Sequence, residues 1–275
     1  MGRYGRYRGP ETPELREKLI KKGLGQGTGS KYQPWIRVGD FSNLGESYRI
    51  WCFKTGRIHH YLSGGEYRNH LVSETLQEVT DIREQYPILP ISETLDLAEQ
   101  LRIAHPSFGG QFKTLTIDSL LTVDDGRALH HFARSIKQNS DLANPRIREL
   151  LELERRACAQ RGYIWALLTE KELSQTLEKN LRWLRKWLTV NRDAPDASTQ
   201  IKFVDAFCDA DLTQTVSHIL DDVSKKLAIS KLLATHFFRH AVWTHAIQID
   251  MYAPLQLTKP HLALASNKRR GKHAA

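Results

Sequence analysis

The stretch LTIDSLLTVDDGRALHHFARSIK, residues 115–137, decides the fold that the sequence predicts. Its first part, Leu115–Val123, is rich in Leu, Ile, Thr and Val, which favour a pleated and largely buried strand. Asp125-Gly126 then supplies a tight turn, because glycine adopts positive φ without steric cost. Leu129–Ile136 is again largely apolar, so the stretch predicts two neighbouring strands joined by a hairpin.

Two charged residues stand out within this pattern. Asp118 lies in the first predicted strand, where an apolar residue is expected, and Lys137 ends the second. Such a layout is typical of metal-dependent nucleases, in which the acid holds a divalent cation and the lysine orients the attacking water. The same two residues also fit a structural ion pair, and their spacing alone leaves both interpretations open.

The composition is that of a basic globular protein. The 275 residues carry a net charge of +9 and a sequence pI of about 9.5, with 40% hydrophobic and 26% charged residues. This charge favours a polyanionic partner, with nucleic acid the first candidate and an acidic membrane surface the second. The length suffices for two domains and a sizeable core.

The cysteines indicate the redox environment in which the protein folds. Cys52, Cys158 and Cys208 are far apart and odd in number, so they offer neither a disulfide framework nor a zinc spacing. We therefore expect a reducing, cytoplasmic environment. No apolar run reaches membrane-spanning length, and the basic N-terminus lacks the apolar segment of a signal peptide.

The chain divides by composition. Residues 1–34 form a basic, glycine-rich arm that either touches nucleic acid or only aids solubility. Residues 35–168 mix predicted strands and helices, which indicates an α/β domain with one central sheet. Residues 169–265 predict helices and then a strand over His240–Tyr252, as in a winged helix, although an all-helical interaction domain fits nearly as well. Residues 266–275 are a basic tail.

Four stretches before the hairpin predict strands: WIRVGDF (35–41), SYRIWCF (47–53), IHHYL (58–62) and VTDIREQYPILPI (79–91). His59 and His60 are neighbours on a predicted strand, so they point to opposite faces and make a poor metal pair. They either contact DNA and support a site, or are ordinary hydrogen-bonded histidines.

Two serine or threonine residues have capping spacing. Ser63 precedes a predicted helix with Glu66 three residues later, so Glu66 is either a cap or a site acid. Thr169 and Glu172 repeat this spacing before a helix with leucines at helical intervals, which predicts core packing. In the helix predicted over 145–161, alternating Arg and Glu residues indicate a largely solvated face.

Several blocks of sequence together resemble the TnsA family, the endonuclease subunits of heteromeric Tn-seven-like cut-and-paste transposases. Their order and spacing match over about residues 22–170, and the blocks are GLGQGTGSKYQPWIRV, TGRIHHYLSGGE, VTDIREQYPILP, AHPSFGG, TIDSLL and ARSIKQNSDL. The resemblance implies an α/β, restriction-endonuclease-like catalytic domain with a mixed central sheet. It also implies a mainly helical, winged-helix-like C-terminal domain, where the sequence match is weaker.

The resemblance further implies a site made of a helix Glu, a strand Asp and a Gln-x-Lys on the next strand. These positions fall on Glu66, Asp118, Ser135 and Lys137. Glu66 and Asp118 would hold Mg²⁺, for which Mn²⁺ substitutes, and Lys137 would position the nucleophile. Ser135 departs from the family's Gln and is shorter, so a water or the Ile136 carbonyl would complete the metal contact.

By the same resemblance, the chain would cut the 5′, non-transferred strand at transposon ends, with a TnsB transposase and a TnsC ATPase as partners. It would act in the bacterial cytoplasm, at the nucleoid when assembled. Its basic surface would add phosphate contacts that are independent of DNA sequence. Two alternatives stay open: a stand-alone restriction-like nuclease, and a non-catalytic DNA-binding assembly subunit.

Overall fold

The computed structural model describes residues 9–40, 46–190 and 196–260. The chain divides into two compact units, one ending at Leu173 and the other beginning at Ser174. The helices of the first unit are α1 (Pro13–Lys21), α2 (Gly64–Thr75), α3 (Ile91–Gln100) and α4 (Pro145–Gln160). Its strands are β1 (Tyr48–Cys52), β2 (Arg57–Tyr61), β3 (Val79–Pro87), β4 (Ser107–Phe108), β5 (Gln111–Phe112), β6 (Thr116–Asp124), β7 (Leu129–Ile136) and β8 (Ile164–Leu168).

The central sheet has four strands in the order β3-β6-β7-β8. Neighbours run antiparallel except β7 and β8, which are parallel, so the predicted mixed sheet is confirmed. The predicted hairpin is the pair β6–β7, with Asp124 opposite Leu129. In its turn, Gly126 has a φ of 79° and the Asp125 carboxylate accepts the amides of Arg127 and Ala128 at 2.8 Å.

Apolar side chains cover both faces of this sheet. Leu120 and Leu121 are adjacent on β6 and both fully buried, and each belongs to a different core cluster. This explains the continuous apolar run of β6, since a central strand needs apolar residues on both faces. The cluster around Leu120 includes α4 residues, whereas that around Leu121 includes Cys52 at the end of β1.

The strand predicted over residues 35–41 is wrong where the structure describes it. Residues 35–40 form bends and turns, and Phe41 lies outside the described residues. Trp35 packs with Leu19 and Leu24, and its amide bonds to the Gln85 carbonyl instead of a strand partner. The block AHPSFGG carries β4 and the turn after it, and β4 pairs with β5 directly beyond the block in a short hairpin.

The second unit is helical where described, with α5 (Gln175–Arg185), α6 (Trp187–Val190), α7 (Ala197–Cys208), α8 (Val216–Lys226) and α9 (Lys231–Trp243). The leucine stripe of α5 is buried as predicted. Ser174, and not Thr169, caps α5, since its hydroxyl accepts the Leu177 amide at 3.2 Å. Thr169 instead bonds to Glu172 in the preceding turn, with its amide and hydroxyl both donating to one carboxylate oxygen.

The strand predicted over His240–Tyr252 is also wrong. Helix α9 continues through Trp243, and the rest of the stretch consists of turns, bends and irregular backbone. Phe237, Phe238 and Ala241 follow helical spacing and are buried, which favours continuing the helix. Residues 196–260 therefore contain no wing hairpin, only a single bridge between Thr215 and Pro260. No helix in the described part of the chain is long and apolar enough to cross a membrane.

Candidate active site

The candidate site lies where β6 and β7 separate. The last register pair of these strands is Ser119 with Arg134. Just beyond it, the Asp118 carboxylate accepts the Ile136 amide at 2.7 Å, so a side chain satisfies a backbone group that pairing between β6 and β7 no longer serves. Asp118, the polar residue inside an apolar strand, thus lies where the pairing between β6 and β7 ends.

Lys137 brings a positive charge to the same point. Its Nζ lies 3.1 Å from Asp118 Oδ2 and 2.9 Å from the Ile136 carbonyl oxygen. Burial by itself would lower the pKa of Lys137, but the negative charges of Asp118, Glu154 and Glu66 outweigh it and raise that pKa. Two oxygens from neighbouring strands therefore converge on one fully charged cation.

Glu66 is both a cap and a site acid. Its amide donates to Ser63 Oγ at 3.2 Å, and its carboxylate accepts the Ser63 hydroxyl at 3.0 Å and the Leu62 amide at 3.1 Å. These bonds hold the carboxylate in the first turn of α2. Burial and then the charge of Asp118 raise the pKa of Glu66 to about 7, so the two acids interact.

Glu154 is an acid of the site that sequence reasoning missed. It projects from α4, is buried, and accepts the Ser135 hydroxyl and the Trp165 indole N–H, the latter at 3.1 Å. Burial and the charge of Asp118 raise its pKa to about 7 although Lys137 is near. The sequence did contain a pattern that predicts its burial, because Glu154 lies in the apolar stripe of α4 together with buried Leu151, Ala157 and Cys158.

Gln85 is a second residue that the sequence did not single out. On β3, Glu84 pairs with Ser119 and Tyr86 with Ile117, so Gln85 stands opposite Asp118. Its φ of 46° is a left-handed conformation, which is unfavourable for a residue other than glycine and is often found at functional sites. Its side-chain amide donates to Glu66 at 3.1 Å and its carbonyl accepts the Thr116 hydroxyl at 3.3 Å.

A cavity of about 270 Å³ gives access to the acids. Asp118, Lys137 and Glu154 line it, together with Lys113 and apolar side chains of α4. Glu66 is not among its lining residues. The volume accommodates several water molecules, each of which takes about 30 Å³ in liquid water.

The two histidines are hydrogen-bonded structural residues. His59 is fully buried between the Thr55 hydroxyl at 2.7 Å and the Glu84 carboxylate at 2.9 Å. His60 accepts the Val38 amide at 3.3 Å, and burial lowers its pKa to about 4.

The donor set fits a divalent metal ion. The charge of Asp118 acts on both Glu66 and Glu154, and burial together with this charge raises the pKa values of these two acids to about 7. A divalent cation relieves this excess of negative charge, and hard carboxylate and carbonyl oxygens are the ligands that Mg²⁺ and Mn²⁺ prefer. Asp118 and the Ile136 carbonyl already converge on a cation, the ammonium of Lys137.

Comparison with known proteins identifies the family. Two family models match the chain, TnsA-like endonuclease N terminal over residues 76–170 and TnsA endonuclease C terminal over residues 172–251. Over 167 residues the chain is 40% identical to the Escherichia coli transposon Tn7 transposition protein TnsA, an alignment covering 61% of this chain and 60% of that protein. The chain belongs to the TnsA endonuclease family. Asp118, Lys137 and Glu154 lie inside the first match, and Glu66 precedes it.

Proposed function

We propose that this chain is the DNA endonuclease subunit of a cut-and-paste transposase and that it cleaves the 5′, non-transferred strand at transposon ends. The observation that carries the proposal is the convergence of Asp118, the Ile136 carbonyl and Lys137 beside a cavity that Asp118, Lys137 and Glu154 line. Family membership supports the nuclease class. The proposed DNA substrate places the reaction at the nucleoid, in the bacterial cytoplasm.

Four residues would hold the metal: Asp118, Glu66 and Glu154 through their carboxylates, and Ile136 through its carbonyl. Bound Mg²⁺, or Mn²⁺ in its place, would lower the pKa of a water and stabilise the leaving oxygen of an in-line displacement. The raised pKa values of Glu66 and Glu154 mean that both must release protons to act as ligands near pH 7.

Lys137 would orient the nucleophile and offset the charge of the scissile phosphate. Its ammonium is already fixed by Asp118 and the Ile136 carbonyl, so it stands next to the proposed metal ligands. Its raised pKa keeps it charged at neutral pH, which suits binding of a phosphate better than abstraction of a proton. Lys113 on the same cavity wall adds a second positive charge for the DNA backbone.

Ser135 would act through Glu154. It is fully buried, and its hydroxyl donates to the Glu154 carboxylate and accepts the Trp165 indole at 2.9 Å. A serine at the family's Gln position therefore keeps Glu154 in place, and the Ile136 carbonyl supplies the oxygen that the longer side chain would bring. Gln85 fixes Glu66 in the same way from β3.

The partners we propose are transposon-end DNA, a TnsB-type transposase that cuts the 3′ ends, and a TnsC-type ATPase. The net charge of +9 supports phosphate contacts without base readout, so recognition of the ends would belong to the transposase. Cleavage would depend on this assembly.

Strand-specific cleavage of transposon-end DNA, with Mg²⁺ and the partner transposase, tests the proposal. We would compare the wild-type chain with Asp118→Ala and Lys137→Ala, and use Asp125→Ala in the hairpin turn as the control. Loss of only the 5′-strand cut in the first two variants is expected. An undiminished 5′ cut would place the active site elsewhere, and defined cleavage by the isolated chain would make it a stand-alone nuclease.

A further inference from the structure

A second cluster of metal-binding side chains lies outside the acid cluster of the active site. It consists of Cys52, His70 and Glu74, of which each offers one ligand atom within 4.8 Å of the other two. Cys52 ends β1, whereas His70 and Glu74 are one helical turn apart on α2. All three are at most 3% exposed.

The histidine is oriented for ligation. The Tyr61 hydroxyl lies 2.8 Å from His70 Nδ1 and 3.1 Å from His59 Nδ1, so one ring nitrogen of His70 is engaged by a neutral partner. The other, Nε2, lies 3.8 Å from the Glu74 carboxylate. A hydrogen bond at one ring nitrogen that directs the other toward a metal is the usual arrangement in protein metal sites.

The carboxylate is held as well. One oxygen of Glu74 accepts the Phe53 amide at 3.0 Å, directly after Cys52 in the chain, and the other faces His70. The backbone that carries the thiol therefore also fixes the carboxylate. Two elements, the end of β1 and the second half of α2, meet through these three side chains.

The donor chemistry selects the ion. A thiolate, an imidazole and a carboxylate together favour Zn²⁺, since a soft thiolate disfavours Mg²⁺ and Ca²⁺. The charges also balance, because one thiolate and one carboxylate neutralise a dication, which matters at a buried position. Binding would displace the Cys52 thiol proton to solvent. We propose that Cys52, His70 and Glu74 bind one Zn²⁺ ion, with a water molecule as the fourth ligand.

The proposed zinc would stabilise the position of Glu66. Glu66, His70 and Glu74 are spaced four residues apart and so lie along one stripe of α2. A metal that joins the second half of this helix to β1 would limit its rotation and hence the direction of Glu66. The inference does not depend on the proposed endonuclease activity, because it concerns different ligands and a different ion.

Metal analysis of the full-length chain, purified without added zinc and dialysed, tests the proposal. We expect one zinc ion per chain in the wild type and in Asp118→Ala, and loss of zinc in Cys52→Ser and His70→Ala. Cys158→Ser is the matched control, because Cys158 is equally buried but lies in the other core cluster. Zinc that stays in Cys52→Ser, or is substoichiometric in the wild type even after zinc is added back, would overturn the proposal.

A spectroscopic measurement keeps the test valid if a variant fails to fold. Co²⁺ added to the metal-depleted wild type should give a thiolate-to-cobalt charge-transfer band, which excess Zn²⁺ abolishes and excess Mg²⁺ leaves unchanged. Absence of this band in folded protein would contradict ligation by Cys52. Its presence in Asp118→Ala would separate the site from the acid cluster.

Discussion

Lys137 and Asp118 form an ion pair in which the ammonium, 3.1 Å from the carboxylate, also lies 2.9 Å from the Ile136 carbonyl. The lysine thus contacts two of the oxygens that we assign to the metal, those of Asp118 and of the Ile136 carbonyl. Removing the lysine removes a positive charge beside these ligands, whereas removing the aspartate removes a ligand. The two roles can therefore be separated by measuring metal binding and cleavage independently.

The first prediction is that Lys137→Ala lowers 5′-strand cleavage by at least about 100-fold, the typical loss for one charge-stabilising group, without weakening Mn²⁺ binding. Asp118→Ala should lose both 5′-strand cleavage and Mn²⁺ binding. Calorimetric Mn²⁺ titration of each variant and cleavage within the assembly give the two readouts. A Lys137→Ala variant that binds Mn²⁺ much more weakly than the wild type would argue that the lysine only organises the ligands.

The second prediction concerns pH. Since Glu66 and Glu154 have pKa values of about 7, protons compete with the metal below this pH. Apparent Mn²⁺ affinity should rise as pH increases to about 7, by up to about tenfold per pH unit for each proton released, and then level off. Calorimetry in buffers of different ionisation enthalpy would detect the released protons. An affinity that does not change between about pH 6 and 8 would refute the linkage.

The raised pKa values of Glu66 and Glu154 also determine how the stability of the metal-free protein changes with pH. A pKa raised from 4.5 to about 7 means that the folded chain holds these protons more tightly than the unfolded chain. The metal-free protein should therefore lose stability as pH rises through this window, and added Mn²⁺ should restore it above about pH 7. Thermal denaturation with and without the ion measures both effects.

Local patterns in the sequence were sufficient for the elements that carry Glu66, Asp118 and Lys137. The two apolar-rich runs, the Asp-Gly turn and the Ser63 cap are short-range signals, and the structure has the corresponding hairpin and helix. The burial of Glu154 was not predicted, because it depends on which face of α4 packs on the sheet. The many Arg and Glu residues of this helix made the buried face difficult to recognise from the sequence. The left-handed backbone of Gln85 arises from tertiary contacts, so no local rule predicts it.

The cluster of Cys52, His70 and Glu74 shows that the spacing of cysteines alone is not sufficient to predict a candidate metal site. The three cysteines have no zinc spacing, yet Cys52 meets a histidine and a glutamate from a helix that begins twelve residues later in the chain. The i,i+4 spacing of His70 and Glu74 was visible, but pairing it with Cys52 required the packing of α2 against β1. A candidate metal site whose ligands differ in type and come from separate elements is therefore recognised from the three-dimensional structure and not from the sequence.

The third prediction separates the charge of Glu154 from its hydrogen bonds. Glu154→Gln keeps an oxygen for Ser135 and Trp165 but removes the carboxylate. At pH 8 and without metal, the variant should melt at a temperature at least equal to the wild type, since an ionised buried group is lost. Cleavage should fall by about 100-fold or more if Glu154 holds the metal. Glu149→Gln is the control, because Glu149 is an exposed residue of the same helix that pairs with Arg146. Equal cleavage by both variants would exclude Glu154 as a metal ligand.

The fourth prediction uses two adjacent glycines at the start of α2. A Cβ on Gly65 would lie 2.6 Å from Ile136 Cγ2, far below contact distance, whereas the nearest atoms to a Cβ on Gly64 are 3.7 Å away. Gly65→Ala must therefore displace the Ile136 side chain, the turn that carries Glu66 or the strand end that carries the Ile136 carbonyl. Because a displacement of about 1 Å can cost 100-fold in rate, we expect a large loss of cleavage from Gly65→Ala with the chain still folded. Gly64→Ala should retain activity and melt no lower than the wild type, since alanine favours a helix by up to about 1 kcal/mol over glycine. If both variants cleave DNA like the wild type, the close contact between α2 and β7 does not set the position of the acids.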